Sequence, residues 1–572
     1  MNRSFDIVYV TYNSAKWIDK CFESVHNLDY PLDKINIYVV DNASGDDTIK
    51  LLENVRNKFG SDFGAFEIIH SSKNLGFGKA NNMGFKKGKS DIVCFFNIDT
   101  EILSNTISQI DIAIEQSTND VALWELRQFP YEHPKVYDPL TFEVSWASGA
   151  AFAVRRNVFG RVHGFDEGIF MYAEDVDLSW RIRSYGYKLH YVPKAVIMHY
   201  TYESAGEVKP TQFVNSLKNN LLLRYRFGSF ADIIKGHFLY IARVFLPTSY
   251  LGAKPQLIKA YFQHFAKIPH FLNRRYGGRN HSFKGQFLLY DYEKIRKGAF
   301  FVNKVYEEKP LVSIIVRTCG RPEVLRETLI SLRNQTYSNF EVIVVEDGEP
   351  EAKSMIEKDF ADLNIRYWAS GEKIGRSKAG NKAMEMASGK YLNFLDDDDL
   401  FYADHIEVLV GALNEGNVRA AYSFAFETPV VVHSKEPYRY TVYSYDEVHT
   451  QAFDKVQLCY HNYIPIQAIM FEKALFEEYG GLDESLDALE DWDLWVRYSC
   501  HTDFMCVEKT TSIYRVPRDR KINSTRQKEL DEALKRVRKK HKSYNQNVSV
   551  YDLAKAYESL EHSIARIITR QK

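Results

Sequence analysis

Cysteine is scarce in this chain: there are six in 572 residues, Cys21, Cys94, Cys319, Cys459, Cys500 and Cys506, with no CxxC pair among them. That excludes a disulfide scaffold, argues against structural zinc and points to a reducing compartment. An excess of one charge is lacking as well. Lys and Arg number 74 against 75 Asp and Glu, a formal net charge of −1, which argues against a protein that coats nucleic acid along its length. No uncharged stretch reaches the roughly eighteen residues that a membrane-crossing helix needs. The opening MNRSFDIVYVTYN enters a strand-like run at once, leaving no room for a signal peptide. A cytoplasmic protein, or one attached to a membrane without crossing it, is expected. Two nucleotide motifs are also missing. Without GxGxxG after the first strand and without GxxxxGK[ST], a dinucleotide dehydrogenase and a P-loop kinase are disfavoured.

What is present is an ordinary globular composition, 45% hydrophobic and 26% charged, on a chain too long for a single core. Short β-branched runs alternate with helical patterns. FDIVYV ends in TYN and is followed by WIDKCFESVHNL; INIYVVDNAS and DIVCFFNIDTE repeat the design, an apolar strand with polar residues at its carboxyl end. This alternation predicts a parallel α/β sheet, in which ligands bind at the carboxyl ends of the strands.

From about Lys309 the order restarts. LVSIIVRTCGRP answers DIVYVTYNSA, NFEVIVVEDGE answers KINIYVVDNAS, KYLNFLDDDDL answers DIVCFFNIDTE, and EDWDLWVR (490–497) answers EDVDLSWR (174–181). Thr11 and Thr318 lie 307 residues apart, Asp99 and Asp398 299, and Asp175 and Asp491 316, so order and spacing agree within small loop changes. An internal duplication follows. The expected domains are 1–205 and 309–520, joined by a basic, aromatic-rich helical linker at 206–308 and followed by an amphipathic helical tail at 521–572. Within 212–300 Lys and Arg outnumber Asp and Glu fifteen to three. Two compatible readings stand: a helical segment lying on an anionic membrane surface, or a linker that packs an apolar face between the domains. Nucleic-acid binding is disfavoured, because no recognised motif accompanies these bases. Linker or tail also offers a surface for oligomerisation.

The acids that close the strands carry the chemistry. Asp396 and Asp398 sit at i and i+2 of an extended chain and can face one ligand together, with Asp397 between them, which suits a hard divalent cation such as Mg²⁺ or Mn²⁺. The first copy has Asn97 and Asp99 in the same place and offers His199 as a further ligand. Glu174, Asp175, Glu490 and Asp491 open helix-like stretches. Helix capping and i,i+4 pairs with Arg181 and Arg497 account for Asp177 and Asp493, but not for an acidic pair at matching points of both copies. A carboxylate within reach of a sugar hydroxyl can remove its proton. Trp492, which follows the second pair, has two readings, core or a stacking platform for a sugar.

Taken together, VTYNS, VVDNASGDDT, NLGFGKANN, FFNIDTE, WASGAAFAVRR, GFDEGIFMYAEDVDLSWR and IMHY resemble bacterial rhamnosyltransferases and their galactofuranosyltransferase relatives. VRTCGRP, LDDDDL and EEYGGLDESLDALEDWDLWVR resemble the wider family of inverting family-2 glycosyltransferases with the GT-A fold. The resemblance covers about 5–199 and 310–515. It implies that Thr11, Tyr12, Asn13, Asp41, Asn74, Asn97 and Asp99 contact the nucleotide-sugar donor, as do Thr318, Arg321, Glu346, Asp396 and Asp397 in the second copy. Asp99, His199, Asp396 and Asp398 would hold the metal, and Asp175 and Asp491, with Glu174 and Glu490 beside them, would be the catalytic bases. The second copy departs from the pattern at Pro517, where the family often has a histidine. The implied activity is bifunctional transfer building a bacterial surface polysaccharide on a lipid-linked or oligosaccharide acceptor, with dTDP-L-rhamnose as first donor. UDP-sugars of a chondroitin-synthase-like polymerase are the alternative, as is a silent, glycan-binding second copy.

Overall fold

The structure is a computed structural model that describes residues 3–133, 135–200, 209–246, 253–273, 283–298, 301–302 and 308–558, with only the backbone of 520–526. The chain divides into two compact units, Met1–Asn303 and Lys304–Lys572. Each is an α/β unit built on one sheet, but where the alternating pattern predicts parallel strands throughout, each sheet is mixed, because the later strands return antiparallel.

The first sheet contains β1 (Phe5–Thr11), β2 (Ile35–Asp41), β3 (Ala65–His70), β4 (Ile92–Asn97), β5 (Thr100–Ile102), β6 (Val121–Phe129), β7 (Ala151–Arg155) and β8 (Lys188–His199). Their spatial order is β3-β2-β1-β4-β7-β6-β8-β5. β1 runs parallel to β2 and β4, while β7 is antiparallel to both β4 and β6. β6 and β8 are parallel, and β5 closes the sheet antiparallel to β8. The central parallel strands β1 and β4 are buried on both faces, which is why they read as continuous apolar runs rather than as alternation.

The second sheet contains β9 (Val312–Thr318), β10 (Phe340–Glu346), β11 (Ile365–Ala369), β12 (Tyr391–Phe394), β13 (Leu400–Phe401), β14 (Ala420–Lys435), β15 (Tyr438–Val442), β16 (Asp446–His449), β17 (Ile469–Glu472) and β18 (Phe504–Pro517). Its main path is β11-β10-β9-β12-β17-β14-β18-β13, with β15 and β16 added on β14. Strand for strand this is the order and sense of the first sheet. The repeated phrases of the sequence therefore occupy equivalent places in two equivalent sheets.

The described helices within 206–308 are Pro210–Phe227, Phe230–Phe245, Ala253–Phe265 and Ile268–Asn273, and they fall inside the first compact unit. Phe227 and Phe271 join Trp146, Val176 and Trp180 in one apolar cluster. Ser229 and Asp232 form a reciprocal capping box that starts the second of these helices. In the second unit the helix Arg520–His541 follows the sheet and buries Ala533 and Val537.

Candidate functional site

In both units the carboxyl ends of the first two strands carry the nucleotide-contact residues expected from the sequence. Thr11 Oγ1 at the end of β1 donates to Asp41 Oδ1 at the end of β2, 3.1 Å apart and buried. Asn13 takes a left-handed conformation, φ 50°, and its Oδ1 accepts from the Gly45 N–H at 2.8 Å, while Tyr12 beside it is exposed. Asn74 Oδ1 accepts from Asn42 Nδ2 at 3.0 Å and from the Gly76 N–H at 2.9 Å, so this loop is tied to the end of β2. The second unit differs here. Thr318 Oγ1 donates to Asp397 instead, at 2.7 Å, and Glu346, one methylene longer than aspartate, reaches away to accept from the Ala352 N–H at 3.0 Å and from the Tyr367 hydroxyl.

The strand-end acids also part company. In the first unit His199 Nε2 lies 3.5 Å from Asp99 Oδ1, and His199 Nδ1 is 2.8 Å from Gln128 Oε1, which orients the ring. Burial opposes ionisation of Asp99, but the His199 hydrogen bond and charge outweigh it and hold the carboxyl below its ordinary range. Asn97 Oδ1, two residues before Asp99, is buried without a hydrogen-bond partner among the described residues. The orphaned Asn97 amide oxygen at the end of β4 and the Asp99 carboxylate just after it, with the His199 imidazole at the end of β8, are donor types that fit a divalent cation. In the second unit the acids are already matched by arginines. Arg317 grips Asp396 with Nε at 2.8 Å and Nη2 at 2.7 Å and donates through Nη1 to Glu490 at 3.0 Å. Arg321 donates to both oxygens of Asp397 and to Asp398 at 3.3 Å. These ion pairs commit Asp396 fully to Arg317, while half-exposed Asp398 meets Arg321 at 3.3 Å. Among the described residues, no group of three or more His, Cys, Asp or Glu side chains is arranged to hold a metal ion.

The repeated acidic phrase opens a helix in each unit, Glu174–Ser184 and Glu490–Ser499. Before each helix stands a non-glycine residue in the left-handed region, Ala173 at φ 66° and Leu489 at φ 60°, a conformation that costs about 1–3 kcal/mol and persists only where the surroundings impose it. The turn directs the Glu-Asp pair inward. Asp175 Oδ2 accepts from the Gly149 N–H at 2.9 Å, and the next residue, Ala150, accepts from the Asn97 N–H at 2.9 Å. The acidic turn and the metal-fitting strand end are thus joined through two adjacent residues. Asp491 Oδ2 accepts from Asn462 Nδ2 at 2.9 Å. Burial raises the Asp175 pKa. Burial and the neighbouring Asp175 charge push Glu174 to about 8, and its Oε2 has no hydrogen-bond partner among the described residues. Burial and the Glu490 charge likewise push Asp491 to about 7.

Three residues that sequence reasoning missed hold these turns. Asn219 Nδ2, on helix Pro210–Phe227, donates to the carbonyls of Met171 at 3.0 Å and Tyr172 at 2.7 Å, directly bracing the left-handed turn. Arg226, on the same helix and fully buried, donates to Asp177 and, at 2.7 Å, to Asp166. Lys540, on helix Arg520–His541, donates to Asp493 at 2.7 Å and to Asp483 at 2.6 Å. The i,i+4 pairs are present as well, Arg181 to Asp177 at 2.8 Å and Arg497 to Asp493 at 3.6 Å. Trp492 is core: it is 1% exposed and its Nε1 donates to the Leu458 carbonyl at 2.6 Å, so it offers no stacking face to a sugar.

Comparison with known proteins follows the duplication. The sequence model of the family described as Glycosyl transferase family 2 matches residues 6–178 and, separately, 313–476. An uncharacterized glycosyltransferase of Methanocaldococcus jannaschii is 27% identical over 230 residues, 39% of this chain and 77% of that protein. One from Rickettsia typhi is 30% identical over 195 residues, 33% of this chain and 58% of its own length, so the chain spans less than two thirds of it. Among solved structures, residues 1–349 of S. aureus TarS align over 47% of this chain and 82% of that one, at 18% identity and a TM-score of 0.33.

Proposed function

The chain belongs to glycosyl transferase family 2, and we propose that it is a bifunctional inverting glycosyltransferase using nucleotide-sugar donors. The observation that carries this reading is the Glu-Asp pair, its glutamate buried and its aspartate half-buried, presented by the same left-handed turn at the same place in both sheets. In the first unit burial and the neighbouring Asp175 charge favour protonated Glu174, and the Gly149 N–H favours the carboxylate form of Asp175. Asp175 takes the proton of an acceptor hydroxyl as that oxygen attacks the anomeric carbon. The bond from this carbon to the diphosphate breaks with inversion, and its electron pair leaves with the nucleoside diphosphate. A divalent cation bound by Asp99 and His199 would supply Lewis-acid stabilisation of that leaving group. In the second unit Asp491, oriented by Asn462, takes the proton.

For the first unit the sequence resemblance supports dTDP-L-rhamnose as donor, with a lipid-linked or oligosaccharide acceptor of a bacterial surface polysaccharide. Nothing comparable singles out the second donor. The arginines gripping Asp396, Asp397 and Asp398 favour a second reading for that unit, sugar binding without transfer. A donor panel and linkage analysis of the products of Asp175→Asn and Asp491→Asn test all of this. Each variant is expected to lose one linkage. Turnover confined to UDP-sugars would sink the rhamnose assignment, and products unchanged by Asp491→Asn would leave one active site.

A further inference from the structure

The helices that follow the first sheet turn an apolar face outward. Helix Phe230–Phe245 exposes Phe230, Ile234, Phe238, Ile241 and Phe245, the spacing of a single stripe on a 3.6-residue helix. The three phenylalanines are 75, 71 and 76% exposed. The opposite face of this helix is the packed one: Tyr240 is buried and its hydroxyl donates to the Leu257 carbonyl at 2.9 Å. The neighbouring helix Ala253–Phe265 continues the pattern with exposed Ile258, Phe262 and Phe265. The Phe265 and His237 rings lie 6.4 Å apart, so the two exposed faces adjoin. Single exposed apolar side chains are ordinary, but two adjoining stripes of them mark a surface that meets something.

Charge says what it meets. Residues 209–273 contain nine Lys and Arg, of which Arg224 and Arg226 are buried, but one acid, Asp232, which is committed to the capping box with Ser229. Lys235, Lys254 and Lys259 are exposed on the two striped helices. Aromatic rings flanked by lysines suit the boundary of an anionic bilayer, where rings enter the acyl edge and ammonium groups meet phosphates. No helix among the described residues is long and apolar enough to cross a membrane, so such helices would lie in its plane. We propose that Phe230–Phe245 and Ala253–Phe265 form a docking face for an anionic lipid bilayer, with Phe238 and Phe245 among the side chains that enter it. The proposal does not rest on the transferase reading, because binding is read without any sugar.

The full chain is to be sedimented with vesicles of equal parts phosphatidylglycerol and phosphatidylcholine, and with phosphatidylcholine alone, at low and high salt. The expected result is binding to the mixed vesicles that weakens with salt, and a drop of about tenfold in partitioning for each of Phe238→Ser and Phe245→Ser. The triple variant Lys235→Glu, Lys254→Glu, Lys259→Glu should lose the preference for the anionic vesicles with its melting temperature unchanged. Wild-type protein left in the supernatant with mixed vesicles at low salt would overturn the proposal, as would undiminished binding by both serine variants. A concentration-dependent dimer abolished by Phe238→Ser, with no vesicle binding, would assign the face to a second copy of this chain instead.

Discussion

Lys540 Nζ lies 2.7 Å from Asp493, and Arg226 does the same service for Asp177, so in each unit a helix from beyond the sheet returns a cation to the third acid of the repeated phrase. The two contacts differ in setting. Arg226 and its partners Asp166 and Asp177 are fully enclosed, whereas the Lys540 side chain is 31% exposed.

That difference sets the first prediction. Arg226→Met removes the one cation shared by two buried acids, leaving Asp177 to Arg181 and Asp166 to His270 at 2.8 Å, and should destabilise the first unit by about 3–5 kcal/mol. Lys540→Met should cost less, on the order of 1 kcal/mol, because Asp493 keeps the Tyr544 hydroxyl at 3.0 Å and Arg497 at 3.6 Å. Denaturant unfolding followed by hydrogen exchange resolves the loss unit by unit, and equal losses would contradict this account.

Removing the proposed base should act locally. Asp175→Asn and Asp491→Asn are each expected to lower transfer at their own site by roughly 10²–10⁴-fold while leaving the other linkage intact. Donor consumption measured on each variant separates the two sites.

The raised acids give a pH dependence whose sign can be worked out. Glu174 in the folded chain holds its proton to about pH 8, while in the unfolded chain it ionises near its ordinary value of about 4.3. Between those values the folded state binds more protons, so the stability Glu174 contributes is complete at low pH and falls as pH rises through about 8. Glu174→Gln should therefore raise the melting temperature at alkaline pH and change it little near pH 4. At the second site Asp491 must be ionised to act, so kcat/KM should rise with pH through about 7.

Metal binding should be unequal. Counting bound Mn²⁺ by electron paramagnetic resonance should show one site that disappears in Asp99→Asn or His199→Ala and is unaffected by Asp398→Asn. Loss of a bound ion in Asp398→Asn would mean that Arg321 gives way to a cation.

The strand ends and the acidic phrase were legible because they are local: an apolar run followed by Thr, Asn or Asp, and two octapeptides spelled nearly alike. Both sheets could be anticipated for the same reason. Arg226 and Asn219 were not legible, since they reach their partners only through folding, across 49 and 47 residues to Asp177 and Tyr172. Arg317 left a trace that could have been read: it stands in β9 where the matching position of β1 is Val10, a charge inside an otherwise apolar strand. Glu346 occupies in β10 the place that Asp41 has in β2, yet its extra methylene sends the carboxylate to a different partner set. Trp492 had two readings until the Leu458 carbonyl claimed its N–H.

The clasp from beyond the sheet also bears on where the chain can be cut. A fragment ending near residue 205 would retain every strand of the first sheet and every strand-end acid, yet it would lack Asn219 and Arg226. Its acidic turn would then have to hold a left-handed alanine and two enclosed aspartates with neither hydrogen bonds nor counter-charge from helix Pro210–Phe227. Each sheet is better described together with its buckle, and a first half that extends through that helix is expected to hold its acidic turn where the shorter fragment loses it.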